Sequence, residues 1–499
     1  MHDPSRPGLV FLIGAGPGDP KLITVRAIEC LAQADVVYYD YLVNPQILRH
    51  TRPGARCIRL GGHREGRIWT QAEIQQKVVD EALAGHVVVR LKGGDPSVFG
   101  RGAEEAEDLV QHGIEFELVP GVTTALAASA YAGIPVTHRD VASAVAFVTG
   151  QQKADAESLD YKKLAVFPGT LVFYMGVTSS ERWSGDLMAA GKPPATPVAM
   201  VRHVSLPTQQ TFRCRLDEVA ALVKRENLRP PIITIVGEVT EVTTSLDWFT
   251  GKPLFGKSVL VTRSSEQAAE TIDGFSTLGA EVLVQPAIDI QPAAVQPLLE
   301  VISRLNEFDW IVFSSSNGVR YFFDQLLSVG DVRQIGSCQI AAIGPSTDAA
   351  LGAYCLRSDL VPERYVAEQL ADELTPLAAG RSVLLVRASR GREILAERLR
   401  AADARVEQVV AYESRDVEAV DEAIAERMAR GAIDWVTVTS SAIANSLVRM
   451  FGESLHRVKL ASISPVTSGT LRSLGHSPAV EASTYNIQGV IDAIIAFSD

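Results

Sequence analysis

A glycine-rich run, Gly14-Ala15-Gly16-Pro17-Gly18-Asp19-Pro20, follows the apolar stretch Leu9 to Ile13, and an acid, Asp40, ends the next apolar stretch. Glycines after a strand let a ligand approach the backbone, and an acid about 20 residues on can hold a ribose, so the pattern first suggests a dinucleotide site. Its spacing speaks against that reading. The third glycine comes one position early, and Pro17 and Pro20 remove N–H groups that a pyrophosphate needs. Further groups with chemical capacity recur downstream. They are Arg90-Leu91-Lys92-Gly93-Gly94-Asp95-Pro96, Phe99-Gly100-Arg101-Gly102, Pro120-Gly121-Val122-Thr123-Thr124, Gly133-Ile134-Pro135-Val136-Thr137-His138-Arg139 and Phe173-Tyr174-Met175-Gly176. The pair Gly93-Gly94 permits close approach, and Thr123 and Thr124 add small hydroxyl donors after a Pro-Gly turn.

The elements that must position these groups are α/β layers. Short β-rich runs alternate with helical patterns, as where Val87 to Leu91 follows Gln71 to Ala84, and the class is α/β with mostly parallel sheets. A helix is predicted from about Leu22 to Ala34, before the strand that ends in Asp40. A chain of 499 residues exceeds one core, and turn residues near Trp248 to Gly256 mark a boundary between a first half, 1–250, and a second, 256–499. Within the first half a split between lobes is expected near 120–140. The second half repeats itself: Gly256-Lys257-Ser258-Val259 recurs as Gly380-Arg381-Ser382-Val383, and Asp309-Trp310 as Asp434-Trp435. A long repeat present twice predicts a pseudo-symmetric pair of doubly wound lobes facing a cleft.

Composition narrows the function classes. A net charge of -12 leaves no basic stripe for nucleic acid, and no apolar run approaches a membrane span. The polar start, Met1 to Gly8, leads straight into a strand-like run, so a cytoplasmic location is expected. Five scattered cysteines suggest neither a disulfide framework nor a thiolate zinc site, and no metal is expected.

The ordered motifs of residues 9–249 resemble uroporphyrinogen-III C-methyltransferase. The resemblance implies two α/β lobes, a homodimer, and S-adenosylmethionine bound in the cleft, with S-adenosylhomocysteine as product. The activity implied is methylation of uroporphyrinogen III at C2 and C7 to precorrin-2, a small-molecule tetrapyrrole of the sirohaem and cobalamin routes. By family position, ligand binding falls on Pro17, Gly93, Gly94, Asp95, Val98, Thr123, Thr124 and Met175. Asp95 can accept from ribose hydroxyls or the ligand's ammonium, and Met175 offers a soft apolar wall or is simply core. Asp40 suits the base that removes a ring proton, or else caps a turn. Arg90, Arg101 and Arg139 grip substrate carboxylates or form ordinary ion pairs. One departure stands out: where the family has Gly-Lys, with that lysine proposed as proton donor, this chain has Gly61-Gly62 followed by His63 and Arg64.

The second half shows no nucleophile elbow, metal spacing or phosphate loop. Its hydroxyl-rich segments Ser314-Ser315-Ser316, Ile343-Gly344-Pro345-Ser346-Thr347, Val410-Ala411-Tyr412, Thr439-Ser440-Ser441 and Ile463-Ser464-Pro465-Val466-Thr467 resemble uroporphyrinogen-III synthase over about residues 256–497. The resemblance implies cofactor-free cyclisation of hydroxymethylbilane with inversion of the last ring. It also implies a swapped layout, with 256–288 plus 413–499 as one lobe and 290–411 as the other, joined by crossing linkers. Tyr412 is the candidate for assisting the leaving hydroxyl, or a packed interface tyrosine; Thr347, Thr439, Ser440 and Thr467 are candidate substrate contacts, or helix caps. Two rivals remain at this point: methylation at a later corrin position, and a second half that only binds tetrapyrrole or regulates flux.

Overall fold

The computed structural model describes residues 7–61, 69–151, 159–242 and 246–498. The chain forms two compact units, Met1–Gly256 and Lys257–Asp499. In the first, strands β1 (Val10–Gly14), β2 (Val36–Asp40), β3 (Arg56–Leu60), β4 (Val88–Lys92) and β5 (Phe116–Val119) make a wholly parallel sheet in the order β3-β2-β4-β1-β5. β1 is apolar at every position because both of its faces are covered. Val10 and Leu12 join one core with helices Gln71–Leu83 and Gly102–Gln111, while Phe11 and Ile13 join another with helix Val25–Leu31. The last of these is shorter than predicted at both ends. Asp19 caps a single 3-10 turn, Pro20–Leu22, Ile23 is extended, and the Thr24 hydroxyl then starts the helix by accepting from the Ala27 N–H.

The second lobe of this unit holds β6 (Val145–Thr149), β7 (Thr170–Tyr174), β8 (Pro197–Arg202), β9 (Gln210–Arg215) and β10 (Ile232–Val236) in the order β6-β7-β10-β8-β9. Only β6 and β7 pair in parallel, so the expected parallel character fails here. β8 and β9 are joined by the short loop 203–209, a connection open only to antiparallel neighbours.

In the second unit β11 (Ser258–Val261) and β12 (Glu281–Val284) begin one sheet. The chain then leaves to build a complete second sheet from β13 (Ile288–Pro292), β14 (Trp310–Phe313), β15 (Gln339–Ala342), β16 (Ser382–Ala388) and β17 (Arg405–Asp416). It returns with β18 (Trp435–Val438), β19 (Lys459–Ser462) and β20 (Val480–Glu481). The orders are β12-β11-β18-β19-β20 and β13-β17-β16-β14-β15. The sequence repeat matches β11 to β16 and β18 to β14, and exchanging these counterparts, with β12 for β17 and β19 for β15, turns β12-β11-β18-β19 into β17-β16-β14-β15, leaving β20 on one edge and β13 on the other without a counterpart. β13 lies antiparallel to β17, pairing Ile288 with Asp416 through Pro292 with Tyr412, so the two lobe-crossing segments run side by side. Among the described residues no helix is long and apolar enough to cross a membrane.

Candidate active site

At the carboxyl ends of β1, β2 and β4, facing the second lobe, lies a cavity of about 490 Å³. Its size suits a drug-sized or nucleoside-sized ligand. Backbone-to-backbone packing of glycines builds its rim. Gly16 and Gly94 exchange hydrogen bonds of 3.1 and 2.8 Å, with Gly94 held at φ +68°, where a side chain is strained. Asp95 organises the loops, one carboxylate oxygen accepting from the Ser97 N–H (2.7 Å) and the other from the Gly121 N–H (3.0 Å). The opposite wall comes from β7 and β10. Tyr174 is buried there, its hydroxyl sharing a hydrogen bond with Thr123 (2.7 Å) and accepting from the Ala125 N–H (3.0 Å).

Four non-glycine residues lining the cavity, Phe99, Arg101, Met175 and His203, hold φ between 51° and 58°. Each such residue costs on the order of 1–2 kcal/mol, and strain of this kind gathers at functional sites. Met175 and Phe99 also leave about 40% of their surface exposed around the cavity, as apolar walls that a flat ligand would cover.

The cavity gathers eleven of the residues singled out in the sequence: Pro17, Asp40, Arg90, Gly93, Gly94, Asp95, Val98, Arg101, Thr123, Thr124 and Met175. Two arginines behave otherwise than a free carboxylate clamp would. Arg90 is 2% exposed, and its Nη2 donates to Asp40 Oδ1 at 2.5 Å, so it orients the acid. Arg101 sits at the rim, bonded to Glu104 one turn away. Arg139 is exposed and does not line the cavity. Gly62, His63 and Arg64 lie outside the described residues.

Sequence reasoning gave no role to Lys92, Glu105 or Tyr174, although Lys92 and Tyr174 stand inside its motifs. Lys92, at the end of β4, lines the cavity and donates to Glu105 Oε1 (2.6 Å), which also accepts from Gln71 (2.7 Å) and lies 3.6 Å from Arg90 Nε. Burial, with the charge of Arg90, holds the Lys92 ammonium below the usual lysine range. The only available signal was two cations, Arg90 and Lys92, on one face of a strand otherwise buried throughout.

In the second unit the hydroxyl groups fall on both lobes. Tyr412, on β17, is 7% exposed, hydrogen-bonded to Ser315 (3.0 Å) and stacked on Tyr321; burial raises its phenol above the usual range. Thr347 is buried in the first turn of helix Pro345–Gly352, its N–H donating to the Gly344 carbonyl. On the other lobe Ser440 caps helix Ser441–Phe451 and Ser464 caps Pro465–Ser473, where Thr467 is buried; Thr439 ends the approach from β18, half-buried. Asp416 ties the lobes together. It accepts from Arg390 (2.7 Å), which follows β16, and pairs with Arg449 (2.5 Å) and Ser446 on helix Ser441–Phe451.

The first unit is thus of a two-lobed class with a glycine-walled cleft at its sheet ends, and the second of a class with repeated, swapped lobes. Residues 9–220 match the family Tetrapyrrole (Corrin/Porphyrin) Methylases, and residues 269–492 match Uroporphyrinogen-III synthase HemD. The porphyrin biosynthesis protein HemD of Ruminiclostridium josui is 34% identical over 488 residues, spanning 97% of this chain and 95% of that protein. The uroporphyrinogen-III C-methyltransferase of Bacillus subtilis (strain 168) is 38% identical over 331 residues, 66% of this chain and 68% of that protein. A uroporphyrin-III C-methyl transferase from Thermus thermophilus, solved in complex with S-adenyl homocysteine, is 40% identical and covers 47% of this chain and all of its own, with a TM-score of 0.42. The chain belongs to the family that joins a tetrapyrrole methylase to a uroporphyrinogen-III synthase in one polypeptide.

Proposed function

We propose that the second unit closes hydroxymethylbilane to uroporphyrinogen III and the first methylates that product at C2 and C7, giving precorrin-2. The observation that carries this is the convergence of eleven residues from separate motifs on one cavity, in a chain whose second unit belongs to the synthase family. Pro17, Gly93, Gly94, Asp95, Val98, Thr123, Thr124 and Met175 hold S-adenosylmethionine, which when bound supplies an electrophilic methyl group. The fit is physical: glycine backbone at φ +68° leaves room for a close ligand, and the exposed Met175 suits an adenine face. Asp40, aimed by Arg90, takes the proton that a methylated ring must lose. Arg101 meets a propionate or acetate at the rim, exchanging Glu104 for it.

In the second unit the raised phenol of Tyr412 stays protonated and gives its proton to the departing hydroxyl. Thr347, Thr439, Ser440, Thr467 and N–H groups at helix starts hold the acid groups of the bilane without large positive charge, in keeping with a net charge of -12. The protein works in the cytoplasm as a homodimer built on its first unit, where Leu118, Leu126 and Val141 leave apolar surface exposed. Its product feeds sirohaem or cobalamin. The test supplies uroporphyrinogen III with S-adenosylmethionine and follows mass. A product heavier by two methyl groups, abolished in Asp40→Ala, supports the assignment; acceptance of precorrin-2 instead of uroporphyrinogen III would move the methylation to a later step.

A further inference from the structure

Four ionisable side chains meet at the floor of the cleft: Asp40 on β2, Arg90 and Lys92 on one face of β4, and Glu105 in the first turn of helix Gly102–Gln111. Arg90, Lys92 and Glu105 are each no more than 4% exposed. Arg90 bonds Asp40, Glu105 bonds Lys92, and Gln71 from helix Gln71–Leu83 bonds Glu105. Among the described residues, Arg90 Nε and Glu105 Oε2 are buried without a hydrogen-bond partner. The set is one hydrogen bond short at its centre, and catalytic sites are one of the few places where native proteins leave buried polar atoms unpaired.

Of the two cations only Lys92 can part with a proton, since a guanidinium does not deprotonate in proteins. Among the described residues it is the one lysine lining the cavity, and it directly precedes the Gly93-Gly94 loop where a ligand comes closest to the backbone. Its ammonium is already biased towards release by burial and by Arg90, with Glu105 and Asp40 opposing. Charge balance decides what Lys92 can do. With Asp40 and Glu105 ionised and both cations charged, the four groups sum to zero. A tautomer shift of the ring takes one proton off and puts one on, so Asp40 accepting alone would leave a carbanion in the ring beside a net positive group, which is costly.

Resting on the methyl-transfer function proposed above, we infer that Lys92 is the second proton-transfer residue of the cleft, giving a proton to the tetrapyrrole as Asp40 takes one. Each methyl group brings the positive charge of the sulfonium, which the ring sheds as one proton through Asp40 to solvent. In a separate tautomer shift of the neutral ring the N–H bond of Lys92 breaks as a C–H bond forms at a bridging carbon, using the π pair of the adjacent enamine. Asp40 removes a proton from a neighbouring ring carbon, and that C–H pair restores the conjugated double bond. The macrocycle changes tautomer without changing charge, and the four side chains again sum to zero. Asp40, whose side chain is 30% exposed, then returns its proton to solvent, and Lys92 regains one.

The experiment uses the full chain with Lys92→Arg, which keeps the charge and the pairing with Glu105 but cannot release a proton. Turnover of uroporphyrinogen III is measured against pH, and S-adenosylhomocysteine affinity by calorimetry. The expected result is a kcat lower by about a hundredfold, the size of a lost general acid, with affinity held within about twofold. The alkaline fall of the wild-type rate should also disappear, because arginine does not titrate there. A Lys92→Arg protein that keeps wild-type kcat and the same alkaline limb overturns the inference. Should that variant lose ligand affinity, the pair Lys92→Gln with Glu105→Gln removes both charges together; the same loss of kcat is expected, and wild-type turnover by the pair overturns it equally. Wild-type protein that makes no dimethylated product would refute the underlying function, and the inference with it.

Discussion

Gly14→Ala is the sharpest test of how the cleft is built. A Cβ at Gly14 would lie 2.5 Å from the Gly121 nitrogen, 2.6 Å from its Cα and 2.7 Å from the Gly94 carbonyl oxygen. Ordinary contacts between such atoms are about 3.5 Å, so the neighbouring backbone must retreat by roughly 1 Å. No flexible side chain can absorb that shift, because all three atoms are backbone. The displaced segments are those that carry Gly93 to Asp95 and Gly121 to Thr124, so the change reaches the ligand loops without touching a ligand contact. Overpacking of this kind costs about 1–3 kcal/mol, which for a domain of this size lowers Tm by several degrees. A 1 Å misplacement of a catalytic frame is worth about a hundredfold in rate, and a loss of about 1.4 kcal/mol weakens binding tenfold. The assay combines thermal unfolding, S-adenosylhomocysteine titration and kcat/KM. Gly185→Ala serves as control: it lies in helix Ser180–Ala189, where an added Cβ would meet no neighbouring atom within 4 Å, and should gain about 0.5–1 kcal/mol. Wild-type melting and ligand affinity in Gly14→Ala would refute the idea that glycine packing sets the cleft.

Asp40→Asn should cut methylation by about 10²- to 10⁴-fold, as for loss of a general base, and leave bilane cyclisation unchanged; separate assays of the two steps check this. Tyr412→Phe keeps the stacking on Tyr321 but removes the hydroxyl bonded to Ser315, so the yield of isomer III over spontaneous isomer I should fall by at least about tenfold while Tm stays near wild type. Asp416 is held below the usual carboxylate range, chiefly by its bond to Arg390. A carboxyl depressed in this way adds stability above its unfolded pKa of about 3.9, and that stability fades as pH falls through the folded value. Denaturant unfolding should therefore find Asp416→Asn less stable than wild type at pH 7, with the gap narrowing as pH falls below the unfolded value of about 3.9. Met175→Gly should relieve left-handed strain of about 1 kcal/mol yet weaken S-adenosylhomocysteine binding, a split that melting and calorimetry read separately.

Much of this architecture is written locally. The unbroken apolar run of β1 already says that a sheet is covered on both faces, and the in-phase recurrence of Gly256-Lys257-Ser258-Val259 already says that the second unit is a repeat. Helix Val25–Leu31 departs from its predicted bounds because Asp19, Pro20 and Thr24 supply two successive starts, and periodicity does not show which one the chain uses. The antiparallel second sheet depends on where β10 inserts, a long-range choice with no local mark. In the cleft, glycines and threonines are legible because their backbone freedom and small hydroxyls carry meaning alone. Arg90 and Lys92 are not, because a cation on a strand reads equally as a substrate clamp or as half of an ordinary ion pair. Their roles turn on Asp40 and Glu105, which lie on other elements. Ser440 illustrates the reverse case: its capping role follows from its place before a helix, and the structure puts its hydroxyl on the Ile443 N–H.

The most direct measurement gives the intact protein hydroxymethylbilane and S-adenosylmethionine together and follows product by mass and absorbance, against bilane left to cyclise unaided. Dimethylated type III product well above that control, with Asp40→Asn stopping at uroporphyrinogen III, is the predicted result. Dimethylated product only when uroporphyrinogen III is supplied ready-made would contradict the claim that one chain performs both reactions, leaving the second unit as a module that binds tetrapyrrole without closing it.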